Sequence, residues 1–126
     1  MENNENLNNE INEETLPSLA DANAADLADR ICEVLDAKKA HDIEKIEVGD
    51  KTVIAEYFVI CTGNSNTQVH SLTDEVEYQL GRQEVDPLRV EGKDGNAWII
   101  MDYGTVIVHI FNREARQFYN LEKLYQ

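Results

Sequence analysis

At 126 residues and 14.4 kDa, the chain has room for one domain, because single domains usually run to ~100–200 residues. Its 25 acidic residues against 11 basic ones give a formal charge of −14, which argues against binding bare nucleic acid or an anionic membrane. Two cysteines are too few for a disulfide scaffold, and no segment reads as a signal peptide or approaches the ~18 consecutive apolar residues of a membrane span. We therefore expect a reduced, cytoplasmic protein.

The first twenty residues differ in composition from the rest of the chain. Residues 1–20 are rich in asparagine and glutamate, with five acidic residues, no lysine or arginine, and only scattered apolar residues. Such a composition cannot bury enough apolar surface to offset the entropy lost on ordering. We predict a disordered acidic tail over 1–20 and one folded domain over 21–126.

Hydrophobic periodicity predicts three helices after the tail. The first is expected at about 22–39. The second follows Ser65 and Gln68, which have the spacing of a capping box, and runs to Gly81. The third is expected over 113–125, where the apolar residues share one helical face: Ala115, Phe118, Leu121, Leu124 and Tyr125.

Apolar alternation and apolar runs predict five strands. They are expected at 43–48, 57–61, 88–91, 97–101 and 105–111. Only Asp102, Tyr103 and Gly104 separate the last two, which predicts an antiparallel hairpin with Gly104 at a positive φ. The order of elements predicts an α/β fold, a small single-domain sandwich with a mixed sheet of about five strands and helices on its faces.

The predicted hairpin strands are apolar on both faces of the sheet. Trp98 and Ile100 alternate with Ala97, Ile99 and Met101, so neither set falls on a polar side. Three helices do not supply enough cover for so much apolar surface. This excess predicts a partner, or a second subunit, on the uncovered part of the sheet.

Candidate catalytic and metal sites are weak in this sequence. The turn Gly63–Ser65 between a strand and a helix could bind an anion at helix amides, but a glycine turn with a serine cap explains the same residues. A nucleotidyltransferase would add a D-x-D metal pair, which does not occur in the chain. Single histidines and two separated cysteines, Cys32 and Cys61, lack metal-ligand spacing. We therefore predict no enzyme activity, no metal and no cofactor, and keep a nucleotide-binding, nucleotidyltransferase-like enzyme as an alternative.

The single tryptophan, Trp98, supports two interpretations. A lone tryptophan often packs in the core, yet tryptophan, tyrosine and arginine also dominate binding hot spots. Trp98 begins a hairpin strand, and Asp102, Tyr103 and Arg113 lie near the ends of the same hairpin. The residues alone therefore indicate a binding module with an apolar, aromatic hairpin, and leave its partner open.

Three segments of the chain resemble the ribosomal silencing factor family, also called Iojap-like. Residues 55–69 resemble its A-D-Y-F-V-I-x-T-G-x-S-x-x-Q-V segment. Residues 91–111 resemble its E-G-x-x-x-x-x-W-I-L-x-D-Y-G-D-V-V-V-H-x-F core, and residues 116–125 its R-x-F-Y-x-L-E-x-L-W ending. The resemblance covers about 22–125 and departs from the pattern at three positions: Glu56, Thr105 and Tyr125.

The resemblance implies a translation regulator that is not an enzyme. Family members bind the large ribosomal subunit through its protein uL14 and hinder joining of the small subunit, which represses translation when nutrients are short. Organellar members act in large-subunit assembly, so a large-subunit biogenesis or maturation factor is a second alternative. The resemblance also implies a nucleotidyltransferase-like topology without the catalytic acids, and it allows a homodimer.

The resemblance and the excess apolar surface together locate the expected docking patch on the hairpin. We hypothesise that it consists of Trp98, Asp102, Tyr103 and His109. Ribosomal proteins are mostly basic, so an acidic domain would be attracted to an exposed protein surface and repelled by adjoining rRNA. We therefore expect little or no rRNA contact, no direct binding of DNA and no binding to membranes.

Overall fold

A mixed sheet of five strands organises the structure, a computed structural model that describes residues 16–125. The strands are β1 (His41–Glu47), β2 (Tyr57–Gly63), β3 (Arg89–Glu91), β4 (Trp98–Asp102) and β5 (Val106–Asn112). The helices are α1 (Ala24–Ala37), α2 (Asn66–Gly81), α3 (Arg113–Tyr119) and α4 (Leu121–Leu124). This arrangement confirms the predicted α/β class, with helices on both faces of the sheet.

The strand order β1-β2-β5-β4-β3 puts the two most apolar strands near the centre. β2 and β5 run parallel, and the other neighbouring pairs are antiparallel. Six consecutive residues of β5 and of β2 are buried, because each of these strands has a neighbour on both sides and helices above or below. The predicted hairpin of β4 and β5 is confirmed, with Gly104 at φ 87.

α1 and α2 pack together on one face of the sheet. Asn23 and Ser65 cap the two helices through their side chains, and Ser65 accepts from the Gln68 amide as the capping box predicts. The buried helix stripes meet alternate sheet residues to form one core: Leu27, Ile31, Leu35, Leu72, Val76 and Leu80 against Val59, Cys61, Ile99, Met101, Val108 and Ile110. We call this the helix face.

The C-terminal segment differs from the single helix predicted over 113–125. It breaks at Asn120, which adopts the left-handed conformation at φ 47, a region that asparagine tolerates better than most residues. α3 and α4 are therefore separate helices, and Phe118 and Leu124 are 80% and 73% exposed although the helical pattern predicted them on a buried face. Arg116 holds the bend closed, because its Nε and Nη2 both donate to Glu122 at 2.8 Å.

The packed chain begins before residue 21. The Leu19 amide donates to the Gln83 carbonyl at 2.8 Å, and the Gln83 side chain donates to the Pro17 carbonyl at 2.9 Å. Residues 16–20, which the composition assigned to a disordered tail, thus lie against the end of α2. Residues 1–15 of that predicted tail lie outside the described residues.

Candidate docking surface

The second face of the sheet is only partly covered. α3 and α4 place Ala115, Leu121 and Tyr125 over its central strands, where a second core cluster forms around Phe58, Ile60 and Phe111. The side of this face towards β3 carries no helix among the described residues. We call this second face the open face.

A cavity of about 200 Å³ lies on the uncovered part of the open face. Cross-strand pairing sets its floor: Asp102 pairs with Ile107, which pairs with Phe58, and Ile100 pairs with His109. An apolar cavity of ~150 Å³ can hold a benzene ring, so this one has room for an aliphatic or aromatic side chain. Eight residues line it: Ile54, Phe58, Arg89, Glu91, Ile100, Asp102, Ile107 and His109.

Exposed aliphatic side chains surround the turn that joins β4 to β5. Val53 and Ile54 are 103% and 59% exposed and lie with Gly104 and Thr105 around one hollow. Leu88 is 75% exposed on the other side, where its amide donates to the Asp102 carbonyl at 2.7 Å. Contiguous exposed apolar groups next to an apolar cavity are typical of a protein-binding surface.

Trp98 lies at the border between the covered and the open parts of this face. Its ring stacks on Phe111 at a centroid distance of 4.9 Å and meets Tyr119 of α3 at 4.6 Å. The side chain is partly buried, so part of the indole reaches the surface. The ring contacts support the packing interpretation of this tryptophan, and its role as an interface anchor stays a prediction.

His109 is buried beneath Trp98, with 6% of its surface exposed. The Trp98 Nε1–H donates to His109 Nδ1 at 3.1 Å, and the His109 ring meets the Phe58 ring edge-on at 4.6 Å. Burial lowers the pKa of His109 to about 4, so the ring is neutral at physiological pH. Its Nε2 is buried and has no hydrogen-bond partner among the described residues.

The remaining two predicted residues fall on different faces. Asp102 lies on the open face, where it lines the cavity, accepts from the Gly104 amide at 2.8 Å and pairs with Arg89 at 3.4 Å. Tyr103 is 8% exposed and packs into the core of the helix face. Its hydroxyl is buried, which raises the pKa of the phenol well above its ordinary value. The structure thus brings Trp98, Asp102 and His109 to one face and does not place Tyr103 with them.

Arg116 is a structural residue of this face to which the sequence analysis assigned no role, although it and Glu122 are the Arg and Glu of the closing segment that resembles the family. Its guanidinium is buried and donates to the Asp42 carbonyl and the Thr62 hydroxyl, each at 2.9 Å, besides the carboxylate of Glu122. Burial raises the pKa of Glu122, but the hydrogen bond and charge of Arg116 outweigh burial and leave it lowered. One cation thereby ties α3 and α4 to β1 and β2.

The glycine turn before α2 is occupied by the chain's own polar groups. The Asn64 amide N–H donates to Gln68 Oε1 at 2.6 Å, and the Asn64 side chain contacts His41 Nε2 at 2.7 Å and accepts from Arg113. These contacts explain the motif as a helix start and a cross-link between elements. Cys61 is fully buried, and burial raises its pKa to about 12, which fits a packing residue better than a nucleophile.

A metal-binding cluster and a membrane-spanning helix are both absent from the described part of the chain. No three histidine, cysteine, aspartate or glutamate side chains there come together in a way that could hold a metal ion. No helix over residues 16–125 combines the length and the apolar composition needed to cross a membrane.

Comparison with known proteins gives consistent matches to one family. Residues 21–126 match the family model described as "Ribosomal silencing factor during starvation". The chain is 38% identical over 90 residues to the ribosomal silencing factor of Bacillus subtilis, covering 71% of this chain and 76% of that protein. It is 37% identical over 99 residues to the one from Haemophilus influenzae, covering 79% and 97%.

The fold and an organellar relative extend these matches. A crystal structure of a protein from Chromobacterium violaceum superposes with a TM-score of 0.79 at 28% identity, covering 82% of this chain and 86% of that one. A mouse protein named "Mitochondrial assembly of ribosomal large subunit protein 1" is 32% identical over 100 residues, which cover 77% of this chain and 44% of that protein. Both the bacterial and the organellar relatives thus carry names that concern ribosomes.

Proposed function

This chain belongs to the ribosomal silencing factor family, and from that premise we propose that it binds the large ribosomal subunit and blocks association with the small one. Translation is thereby repressed under nutrient limitation. The partner that we propose on the large subunit is protein uL14. The observation that carries the proposal is the open face, where an apolar cavity and exposed aliphatic groups lie beside the one tryptophan of the chain.

The docking surface that we propose consists of the exposed edge of Trp98, the cavity with Asp102 at its rim, and the aliphatic groups around the β4–β5 turn. Tyr103 supports this surface from the other face of the sheet, because its ring packs in the helix-face core and stabilises the turn next to Asp102. His109 lies in the floor of the cavity. A standard interface needs ~800 Å² per partner, a size that one sheet face with its flanking loops can supply.

Charge favours a protein docking site over an RNA site. The chain carries −14 overall, and Glu91 and Asp102 stand at the cavity rim with Arg89 as their only cationic neighbour in the lining. A basic ribosomal protein is attracted to such a surface, whereas rRNA phosphates are repelled. Little rRNA contact is therefore needed or expected.

Steric exclusion requires no chemistry. A folded body of this size on the face where the subunits meet prevents their contact for as long as it stays bound, so the proposed activity depends on affinity and placement alone. We accordingly propose a factor without catalytic residues, metal or cofactor. It works in the cytoplasm, where bacterial ribosomal subunits assemble into ribosomes.

A sucrose gradient tests the proposal directly. Purified protein is mixed with large subunits, small subunits are added, and the fractions are probed for the protein and for joined ribosomes. We expect the protein to migrate with large subunits and the joined-ribosome peak to shrink. No migration with large subunits would contradict the proposal.

Matched aromatic variants locate the surface. Trp98→Ala should lower the bound fraction at least tenfold, because large aromatic anchors dominate interface energies. Tyr78→Ala removes an aromatic ring that is 61% exposed on α2, on the opposite side of the sheet, and should leave binding unchanged.

Titration of isolated uL14 with the unmodified protein and with both variants then tests whether uL14 is the partner. Repeating it over a range of protein concentrations shows whether a homodimer through the open face competes with docking.

A role in large-subunit assembly is the second candidate, and the printed name of the mouse relative favours it. An assembly factor would use the same docking surface but prefer precursor particles. Because of that preference, it would leave most mature large subunits unbound in the gradient and would not reduce subunit joining. Comparing mature and precursor particles at equal concentration separates the two functions.

A further inference from the structure

The indole of Trp98 is held by one directional contact, and His109 supplies it. An indole nitrogen only donates, so the 3.1 Å contact from Trp98 Nε1 requires a lone pair on His109 Nδ1. The proton of the neutral imidazole must then be on Nε2. The histidine is therefore fixed in one tautomer with its acceptor directed at the tryptophan.

His109 is itself held in place by the sheet and by aromatic contacts. It lies near the middle of β5, opposite Ile100 and Ile60 on the neighbouring strands. Phe58 meets its ring edge-on at 4.6 Å, and the Trp98 ring centroid is 5.8 Å away. With 6% exposure, the imidazole has almost no surface to offer a partner.

The stacking contacts of Trp98 do not replace this bond. Phe111 stacks on the indole and Tyr119 meets it with the ring planes inclined by 46°. Both contacts limit tilting, but rings in such contact slide with little loss of energy because their attraction has weak directionality. A hydrogen bond at the ring edge fixes rotation within the ring plane. An anchor that is already held in its bound orientation loses less entropy on docking.

We propose that His109 is a positioning residue of the docking surface: its Nδ1 orients Trp98 for the ribosomal partner, and its contribution to docking acts through Trp98 rather than through its own small surface at the cavity floor. This inference rests on the proposed function and revises the expectation that His109 belongs to the contact patch. His109, which matches the histidine of the family segment in β5, thus contributes to docking by orienting Trp98.

The orientation can be measured without ribosomes. Trp98 is the one tryptophan, so the chain gives a single indole N–H signal in a proton–nitrogen NMR spectrum. His109→Asn puts a carbonyl oxygen close to the position of Nδ1, whereas His109→Gln puts it at the position of Nε2. We expect the asparagine variant to keep the chemical shift and slow hydrogen exchange of the indole. The glutamine variant and His109→Phe, which keeps a ring without an acceptor, should exchange about tenfold faster.

Binding to large subunits then tests the consequence. His109→Phe and His109→Gln should weaken binding about tenfold, and His109→Asn should restore most of it. In the Trp98→Ala background the same substitutions should have no further effect, because a residue that acts through Trp98 has nothing left to position. Urea midpoints of all variants show whether each one is folded. If His109→Phe does not fold, the comparison of His109→Asn with His109→Gln still tests whether an acceptor at the Nδ1 position is needed.

Each outcome separates this inference from the proposed function. If the histidine variants weaken binding equally with and without Trp98, then His109 contributes to docking independently of Trp98 and the inference fails. It also fails if the indole signal is unchanged in His109→Gln. If Trp98→Ala binds large subunits normally, the proposed docking surface is wrong, while the NMR result still decides whether His109 orients Trp98.

Discussion

The two faces of the sheet are built from the same strands, but helices cover the helix face more completely than the open face. On the helix face, α1 and α2 bury the central strand side chains in one continuous core that is mostly aliphatic. On the open face, the short helices α3 and α4 cover only the central strands, and the core there mixes aliphatic residues with aromatic ones: Phe58, Phe111, Trp98 and Tyr125.

The difference separates the source of stability from the source of binding. Aliphatic packing without gaps contributes most of the favourable free energy of folding. A face with a cavity and exposed apolar side chains contributes less to the free energy of folding, but it leaves apolar surface available for a partner. If this division is correct, substitutions on the helix face should affect stability first, and substitutions on the open face should affect docking first.

The largest expected effect is on the helix face. Leu35 is fully buried between α1 and the sheet, so Leu35→Ala should lower the free energy of unfolding by about 4 kcal/mol through lost burial and a cavity. Ile100→Ala, on the partly buried floor of the open face, should cost only about 1 kcal/mol. Urea denaturation measures both. Equal losses would remove the distinction between the faces, and Leu124→Ala, at a site that is 73% exposed, serves as the neutral control.

The attachment of α3 and α4 to the sheet should depend on Arg116. Replacing it by methionine keeps much of the length but leaves the Glu122 carboxylate, the Thr62 hydroxyl and the Asp42 carbonyl without their shared donor. We expect a loss of about 3 kcal/mol in urea denaturation, as for other broken buried ion pairs. Lys123→Met, an exposed cation one residue from Glu122, should change stability by less than ~0.5 kcal/mol. A neutral Arg116→Met would show that α4 is held by apolar packing instead.

Local sequence patterns were sufficient to predict most of the fold, because the spacing of apolar residues and the position of turn residues follow from the geometry of helices, strands and turns. The period of the apolar residues gave each strand and the first two helices to within a few residues, and Gly104 marked the hairpin turn correctly. The break at Asn120 was missed because the apolar spacing on either side fits one helix equally well. What selects the bent form is a tertiary contact, since Arg116 binds Asp42 and Thr62, which lie 74 and 54 residues away in the chain.

The candidate site was predicted less well, for a reason that alternation could have revealed. Successive residues of a strand point to opposite faces, so Trp98 and Asp102 share a face while Tyr103 falls on the other one with Met101. Trp98 and Asp102 are also about 13 Å apart along β4, so they mark two ends of the surface. The bond between Trp98 and His109 joins neighbouring strands, and no spacing within one segment could indicate it.

Acidification should weaken the open face through His109. Its pKa is about 4 in the folded protein against 6.5 for an ordinary histidine, so between these values the unfolded chain binds a proton that the folded protein does not. Stability is therefore lost as the pH falls from about 6.5 towards 4, by about 2 kcal/mol between pH 7 and pH 5. Urea denaturation at both values should show a smaller loss in His109→Phe by that amount. Identical losses in both proteins would mean that the buried imidazole accepts its proton without cost.

The smallest effect on stability should accompany a clear effect on docking, at Ile54. This side chain is 59% exposed at the cavity rim, so Ile54→Ser should change the free energy of unfolding by less than ~0.5 kcal/mol. If the cavity receives an apolar side chain of the partner, the same substitution should weaken binding to large subunits about tenfold. Val53→Ser alters the neighbouring aliphatic residue, which does not line the cavity, and should weaken binding much less. Equal effects would mean that the whole apolar rim binds the partner as a flat patch, and that the cavity has no separate role.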